Sequence, residues 1–278
     1  MRIAVMHSTV YRYDGPVFLE PHIIRLRPRD DGAQHPVSHQ LEITPTPAGM
    51  ADCLDQDGNL TVEAWFDAPV SELSVHSAFT VETVRDNPFA FLVKRGMTSL
   101  PPAYAEALAP SLAQYRLEEG ITAPVRDYAL AVAEACGGRT LEFLTALNGR
   151  FYQDLAYVTR PIGPPQAPDV TLAERSGSCR DFAVLFIAAC RSVGLAARFV
   201  SGYDCCSGRD LSDLHAWAEV YIEGGGWRGY DPSSGLAVST CHVAVAAAAE
   251  PALAAPITGT YRGPAKAEMS YAISVQAG

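Results

Sequence analysis

Residues 176–203 read SGSCRDFAVLFIAACRSVGLAARFVSGY, and this run joins a helix pattern directly to a strand pattern. Between Cys179 and Val193 apolar residues recur at helical spacing, and Gly194 stands where the end of a helix favours a positive φ. The stretch Ala197–Tyr203 that follows is typical of a strand. The run therefore predicts a buried amphipathic helix beside a sheet, with Cys179 in its first turn.

Cys179 lies where free backbone N–H groups and the helix dipole stabilise a thiolate over a thiol. Phe182 and Phe186 share its face of the helix, so its side chain is expected to point toward the protein interior. Asp181 complements the dipole, and a structural role is expected for it. Cysteine statistics alone favour an inert core cysteine. The alternative is a nucleophile, and the groups near the sulfur decide between the two.

From His215 to Asp231 the sequence pattern predicts two strands separated by a run of glycines. With Gly224 and Gly225 as a two-residue turn, the strand register sets Asp231 opposite Ala218, a few residues from His215. A bulge or bend would then bring the carboxylate onto the imidazole. A cysteine at a helix start, with a histidine and an aspartate on one hairpin, is the arrangement of nucleophilic thiol catalysis.

Four segments make the sequence similar to a known family, the bacterial transglutaminase-like proteins, whose core has the papain-like α+β fold: Ser176–Ala183, Cys190–Tyr203, Asp213–Trp217 and Gly226–Ser233. The resemblance implies that Cys179 is the nucleophile, His215 the general base and acid, and Asp231 the orienting carboxylate. Short matches in the amino-terminal half resemble the β domain often fused before this core: Tyr11–Tyr13, Pro16–Val17, Arg25–Pro28 and Asp57–Asn59.

The sequence departs from the family pattern at three places. Val184 stands where the family usually carries His, and Ser234 where it often carries Asn; neither belongs to the implied triad. The run Ala248–Pro256 replaces a segment that in the family is polar. If this run frames the active-site cleft, as the resemblance implies, the substrate rim is more apolar here and the family's typical specificity need not transfer.

Two aromatic residues are further candidates near the triad. The backbone N–H of Cys179 is the natural first donor to an oxyanion, because it points out of the helix terminus. Tyr157 is the candidate second donor, since the family keeps an aromatic residue there; a packed tyrosine is the alternative. Trp217 follows His215 by two and shares its strand face, where the indole could shield the ion pair from water or serve as a core aromatic.

The pattern along the chain predicts an α+β protein in two parts. Residues 1–86 alternate in short runs broken by turn residues, which indicates an antiparallel, sandwich-like β domain. Residues 87–120 are rich in Pro and Ala and are expected to form a linker with short helical turns. Residues 121–278 carry helical periods and then strands. They are expected to form a papain- or transglutaminase-like core, with the nucleophile helix on an antiparallel sheet.

Composition restricts the partners. The 278 residues carry 21 Lys and Arg against 31 Asp and Glu, a net charge of −10 that disfavours nucleic acid and anionic lipid. No apolar run has the length of a membrane span, and the start of the chain lacks a secretory pattern, so a cytoplasmic protein is expected.

In the expected cytoplasmic location thiols are reduced, and the seven cysteines, an odd number without a CxxC pair, disfavour a disulfide scaffold. We expect no cofactor and no metal. A site at Cys205–Cys206 with Asp213 is disfavoured because adjacent cysteines chelate one ion poorly.

These observations favour a thiol enzyme that acts on amide bonds through an acyl-enzyme intermediate. Release to water would make it a protease or amidase, and release to an amine would make it a transglutaminase. Hydrolysis is favoured because no closed aromatic tunnel that would exclude water can be located. A non-catalytic binding or scaffold protein that keeps the fold is the rival hypothesis. The expected partners are a peptide or amide substrate, proteins included, and a second copy of the chain through the β domain.

Overall fold

The structure is a computed structural model, and it describes residues 1–205 and 213–278. Its helices are α1 (Ala109–Leu112), α2 (Ala123–Ala135), α3 (Thr140–Asp154), α4 (Pro168–Glu174) and α5 (Cys179–Ser192). Its strands are β1 (Arg2–Leu19), β2 (His22–Ile24), β3 (Gln34–Thr44), β4 (Gly49–Leu54), β5 (Leu60–Trp65), β6 (Val70–Thr83), β7 (Ala156–Tyr157), β8 (Ser176–Gly177), β9 (Ala197–Asp204), β10 (His215–Ile222), β11 (Gly226–Asp231), β12 (Leu236–Ala237), β13 (His242–Ala248), β14 (Ile257–Thr258), β15 (Tyr261–Arg262) and β16 (Ala267–Ala277).

The carboxyl-terminal half is built on an antiparallel sheet with the strand order β12-β11-β10-β9-β13. Helix α5 begins at Cys179, as the apolar spacing predicts, and its buried face packs on this sheet. Phe143 and Phe151 of α3 and Val125 of α2 contribute to the same core on the other side of α5. The prediction of an α+β protein with a nucleophile helix on an antiparallel sheet is confirmed.

The β domain consists of two antiparallel sheets. One has the order β15-β1-β6-β3 with β16 also paired to β1, and the other has the order β14-β2-β5-β4. Their apolar faces form a second core that includes Val17, Leu19, Leu26, Leu73 and Val75. Along β1 buried and exposed side chains alternate, as expected for a strand that turns one face toward the core of a sandwich.

The carboxyl end of the chain returns to the β domain. Strand β16 pairs along β1 from Ile3 with Ala277 to Tyr13 with Ala267, and β14 and β15 pair with β2 and β1. The linear division into 1–86, 87–120 and 121–278 misses this return, because residues 257–277 form sheet with the amino-terminal strands. A period of two in the sequence identifies a strand but does not identify its partner.

Two side-chain amides of the β domain cover strand β13, which is an edge strand of the β12-β11-β10-β9-β13 sheet. Gln34 bonds both the N–H and the C=O of Ala244, each at 2.8 Å, and Asn59 does the same for Ala247, again at 2.8 Å. Each amide thus replaces one residue of a missing neighbour strand. Apolar residues from both halves complete the interface: Ile3, Val5, Phe79, Val81, Tyr203, Val243, Val245 and Ile273.

The cysteines differ from expectation at one position. Cys241 is disulfide-bonded, although the expected cytoplasmic location predicts reduced thiols. Five others are free: Cys53, Cys136, Cys179, Cys190 and Cys205. Cys206, named in the disfavoured metal site, lies outside the described residues. Among the described helices, none combines the length and the apolar character that crossing a membrane requires.

Candidate active site

The β10–β11 hairpin brings His215 and Asp231 onto one face of the sheet. The two strands pair up to Ala218 with Tyr230, and the register leaves three residues in the turn, so the predicted two-residue turn is wrong. A shift of one residue moves every side chain of a strand to the other face. The observed register, continued by one step, places Asp231 across from Trp217 and therefore on the face of His215. No bulge is needed.

The linker segment accounts for the three-residue turn. Gly224 has a φ of +96°, and a Cβ there would collide with the carbonyl oxygen of Leu92. Lys94 donates its backbone N–H to the carbonyl of Glu223 at 3.0 Å. Three-residue hairpin loops with a left-handed residue are common. The sequence Gly-Gly-Gly permits either turn, and the packing of this distant segment favours the longer one.

Two hydrogen bonds join the three candidate catalytic side chains. His215 Nε2 lies 2.9 Å from Asp231 Oδ2, and both residues are buried. This bond occupies Nε2, so Nδ1 is the ring nitrogen left for Cys179, whose side chain is hydrogen-bonded to His215. The structure therefore brings the side chains of Cys179, His215 and Asp231 together, with His215 between the other two.

The surroundings of Cys179 favour the thiolate. Burial alone would raise the pKa of the Cys179 thiol, but the hydrogen bond and positive charge of His215 outweigh burial and hold the pKa below its ordinary value. The backbone N–H of Ala216 adds a further hydrogen bond to the sulfur. Sequence reasoning did not identify Ala216, because a backbone donor leaves no signature in its residue type.

His215 and Asp231 stabilise each other's charge. Burial would lower the pKa of His215, but the charge and hydrogen bond of Asp231 raise it well above its ordinary value. Burial would likewise raise the pKa of Asp231, yet the charge and hydrogen bond of His215, followed by those of His242, hold it well below its usual range. The lowered pKa of Cys179 and the raised pKa of His215 both favour a thiolate–imidazolium pair over a neutral thiol and imidazole, with the carboxylate orienting the ring.

Four further donors hold the Asp231 carboxylate. Ser233 donates its backbone N–H and its hydroxyl to Oδ1 at 2.9 and 2.7 Å, and the Ser234 hydroxyl donates to Oδ2 at 2.8 Å. His242 Nε2 lies 3.4 Å from Oδ2. None of these contacts is predicted by the sequence pattern used above. The run Asp-Pro-Ser-Ser after a strand is typical of a turn and could have identified the two serines. A single histidine in the apolar strand β13 could have identified His242.

Asp181 fixes the start of the nucleophile helix. Its Oδ2 accepts the N–H and the hydroxyl of Ser178, both at 2.7 Å, which forms a capping box. Its Oδ1 accepts Arg160 Nη2 at 2.6 Å and the backbone N–H of Gln166 at 2.7 Å. Asp181 is fully buried, and it ties the loop before α4 to the helix turn that carries Cys179.

The two predicted aromatic residues lie on opposite sides of the triad. Tyr157 is 40% exposed, lines the cleft beside Cys179 and has its ring 6.2 Å from that of Phe182. Trp217 is buried, with its ring 6.2 Å from His215 and 5.3 Å from His242. The indole thus covers the imidazoles on the side away from the cleft, and Tyr157 is the one of the two that a substrate could reach.

Cys179 and His215 open into a cleft of about 510 Å³. The catalytic core and the β domain both contribute to its lining, and the segment Pro251–Pro256 supplies part of the rim. The apolar run that replaces the family's polar segment therefore lies beside the cleft.

A set of metal-binding side chains overlaps the triad. One ligand atom each from Asp204, His215, Asp231 and His242 lie within 4.8 Å of one another, and His nitrogen with carboxylate oxygen is a donor set that zinc accepts. A cation there would displace the proton shared by His215 and Asp231. The cluster therefore competes with the triad and does not add to it. Asp213, from the disfavoured cysteine site, accepts a hydrogen bond from Tyr271 at 2.6 Å instead.

Comparisons with known proteins find relatives for both halves of the chain. Residues 3–82 match the bacterial transglutaminase-like N-terminal region, and residues 126–232 match the transglutaminase-like superfamily. Uncharacterized proteins from Mycobacterium bovis and Mycobacterium tuberculosis are 31% identical over 273 residues, which cover 93% of this chain and 87% of theirs. An uncharacterized protein from Mycobacterium leprae is 25% identical over 285 residues, covering 99% and 98%.

One solved structure shares the whole fold. A protein from Cytophaga hutchinsonii, described as a suspected cysteine protease, superposes with a TM-score of 0.71 over 100% of this chain and 91% of its own, at 21% identity. Both halves of the chain thus have counterparts in sequence, and their arrangement has a counterpart in structure. The chain belongs to the bacterial transglutaminase-like proteins of the transglutaminase-like superfamily.

Proposed function

We propose that this protein is a thiol hydrolase that cleaves amide bonds through an acyl-enzyme intermediate. Membership of the superfamily and the description of the Cytophaga protein both support a thiol enzyme. The observation that carries the proposal is the position of His215, which is hydrogen-bonded to Asp231 at 2.9 Å on one side and to Cys179 on the other.

The roles follow from the positions of the protons. The Cys179 thiolate attacks the amide carbonyl carbon. The oxyanion that forms accepts a hydrogen bond from the backbone N–H of Cys179 at the helix terminus, and Tyr157 is the proposed second donor. His215 Nδ1 then gives its proton to the departing amine as the C–N bond breaks. In the second half His215 takes a proton from water, the hydroxide attacks the thioester, and the acid leaves as the thiolate forms again. Asp231 keeps the imidazole in the tautomer that each step needs.

Water is the proposed acceptor, and a primary amine is the alternative. The cleft is bordered by two separate parts of the chain, and the rim segment Pro251–Pro256 carries no charged side chain that would hold an amine. Amine transfer would convert the same acyl-enzyme to a new amide, so the two outcomes differ only in the product. Mass spectrometry of the product distinguishes them.

The experiment is turnover of peptide and amide libraries with and without an added primary amine. The unaltered protein should release free acid in both conditions. Cys179→Ala should abolish turnover while changing the free energy of unfolding by less than about 3 kcal/mol, because the sulfur borders a cleft. If no amide is turned over although Cys179 is readily alkylated, the protein is a scaffold and the proposal fails. If amine incorporation dominates, the protein is a transferase.

Location and assembly are separate questions. The cytoplasmic location predicted from the sequence stays a prediction, and the disulfide at Cys241 weighs against it, because cytosolic thiols are kept reduced. Fractionation of cells that express the native gene decides this point. Self-association through the β domain also stays a prediction, which light scattering tests.

A further inference from the structure

We infer that the cleft beside Cys179 binds an extended polypeptide through its apolar side chains, with the β domain as one wall of the binding site. This inference rests on the proposed amide-cleaving function and names its substrate class. It assigns to the β domain a direct part in specificity.

The first wall is a face of two paired strands of the β domain. Tyr11 of β1 lies opposite Met269 of β16, Thr9 opposite Tyr271, and His7 opposite Ile273, and all six residues line the cleft. Residues directly opposite in an antiparallel pair share one face of the sheet. From residue 7 to residue 11 this wall is roughly 14 Å long, the length of about four residues of extended chain.

The second wall belongs to the catalytic core. Pro161, Ile162 and Pro165 lie on the loop that Asp181 ties to α5, and Ala252 and Pro256 lie on the apolar rim. Ile162 is 65% exposed, which is a large exposure for an apolar side chain beside a catalytic centre. The two walls face each other across a volume of about 510 Å³, within the range of sites that enclose a ligand of several residues.

The charged side chains of the two walls bond to neighbouring groups of the protein, and Arg180 Nη2 donates to the backbone carbonyl of Arg160. Arg160 pairs with Asp181 at 2.6 Å, and Asp213 accepts a hydrogen bond from Tyr271. Burial lowers the pKa of His7 to about 4, so this imidazole is neutral at physiological pH. Away from Cys179, His215 and Arg180, a ligand therefore meets mainly apolar and neutral side chains, and burial of apolar groups is the main interaction that such walls provide.

The test compares two Met→Lys variants on neighbouring strands of one sheet. Met269→Lys puts a cation into the cleft wall, whereas Met6→Lys puts one on the opposite face of β1, where Met6 is 57% exposed. Met269→Gln serves as a milder variant should the lysine disturb folding. For each protein, kcat/KM is measured on a peptide library varied at the positions flanking the scissile amide, and the alkylation rate of Cys179 is measured in parallel.

The unaltered protein and Met6→Lys should prefer apolar residues beside the scissile bond by about 10- to 100-fold over charged ones. Met269→Lys should reduce that preference at least tenfold and favour acidic residues, and Met269→Gln should reduce it less. Alkylation of Cys179 should stay within twofold in all of them. If peptides are turned over but Met269→Lys does not change the preference for residues beside the scissile bond, this inference is overturned and the proposed function is left intact. Absence of turnover on every peptide overturns both.

Discussion

At the scale of single residues, Asp231 is the centre of the proposed active site. Five donor groups surround its two carboxylate oxygens: one from His215, one from His242, two from Ser233 and one from Ser234. A carboxylate has about four lone-pair directions, so these groups leave it little freedom to rotate. The long 3.4 Å contact to His242 is the weakest of them. We therefore regard His242 as a positioning residue that acts through Asp231.

Replacement of His242 by Phe should lower kcat about tenfold with little change in KM, because one donor to a charged group is lost while the ring packing against Trp217 is retained. His242→Gln keeps a donor and should recover most of the rate. Alkylation of Cys179 should slow in His242→Phe at pH 6 but not at pH 9.5, where the thiolate forms without its partner. Equal rates and pH profiles in all three proteins would show that Asp231 needs no second imidazole.

Asp231→Asn provides the reference for that series. Loss of the charge releases the tautomer of His215 and should lower kcat by about 10³- to 10⁴-fold, as in enzymes with an equivalent triad. The fold should persist, which circular dichroism checks. Unchanged turnover in this variant would remove the aspartate from the mechanism.

At the scale of elements, the nucleophile helix and the hairpin show what local sequence can and cannot predict. The apolar spacing from Cys179 predicts the helix that the structure contains, because one buried face and a glycine after its end specify it. The hairpin register could not be predicted, since three consecutive glycines permit two turns. Contacts of Gly224 with Leu92, far away in the sequence, favour one of them. Asp181 acts at the same scale, because its capping box joins α5 to the cleft loop.

Asp181→Ala should lower the free energy of unfolding by about 2 kcal/mol, because buried donors of Ser178 and Gln166 lose their acceptor. Asp169→Ala is the matched control: Asp169 also lies in the first turn of a helix, but its carboxylate accepts the N–H of the adjacent Val170, and its loss should cost about 0.5 kcal/mol. Urea denaturation measures both. Equal losses would mean that Asp181 acts through the helix dipole alone.

At the scale of the whole molecule, the β domain and the catalytic core form one unit. Strand β16 returns to β1, and Gln34 and Asn59 cover the edge of β13, which carries His242. The motif Asp57–Asn59 resembles the transglutaminase-like family, but the sequence does not predict that the Asn59 side chain bonds the backbone of Ala247. Long-range contacts of this kind depend on where two elements meet, and that information is not present in the local pattern. Strands and the β10–β11 hairpin could be predicted from the sequence, whereas the partners of strands far apart in the chain could not.

The interface of the two halves should weaken in mild acid through His7, which bonds Tyr203 of β9 at 2.7 Å. Burial lowers its pKa to about 4, below the ordinary 6.5 of the unfolded chain. The unfolded state therefore binds the proton first, and stability present above pH 6.5 is lost as the pH falls toward 4. The loss through this group should be about 2 kcal/mol at pH 5.

Urea denaturation at pH 7.5 and pH 5 measures this loss. His7→Gln should have a pH dependence smaller by about that amount, because glutamine does not titrate. His35→Gln, at the exposed His35 beside Asp30, should leave the dependence unchanged. The same dependence in all three proteins would show that the acid sensitivity of the fold comes from other groups.

The measurement that tests the central claim most directly is alkylation of the free cysteines by iodoacetamide at pH 6, followed by peptide mass spectrometry. Cys179 is only 7% exposed, whereas Cys53 is exposed, so accessibility alone would favour Cys53. We predict that Cys179 reacts first and fastest, and that His215→Gln removes this advantage while Cys53 is unaffected. Slow labelling of Cys179, equal to or below that of Cys53 and insensitive to His215→Gln, would contradict an activated thiolate and with it the proposed enzyme.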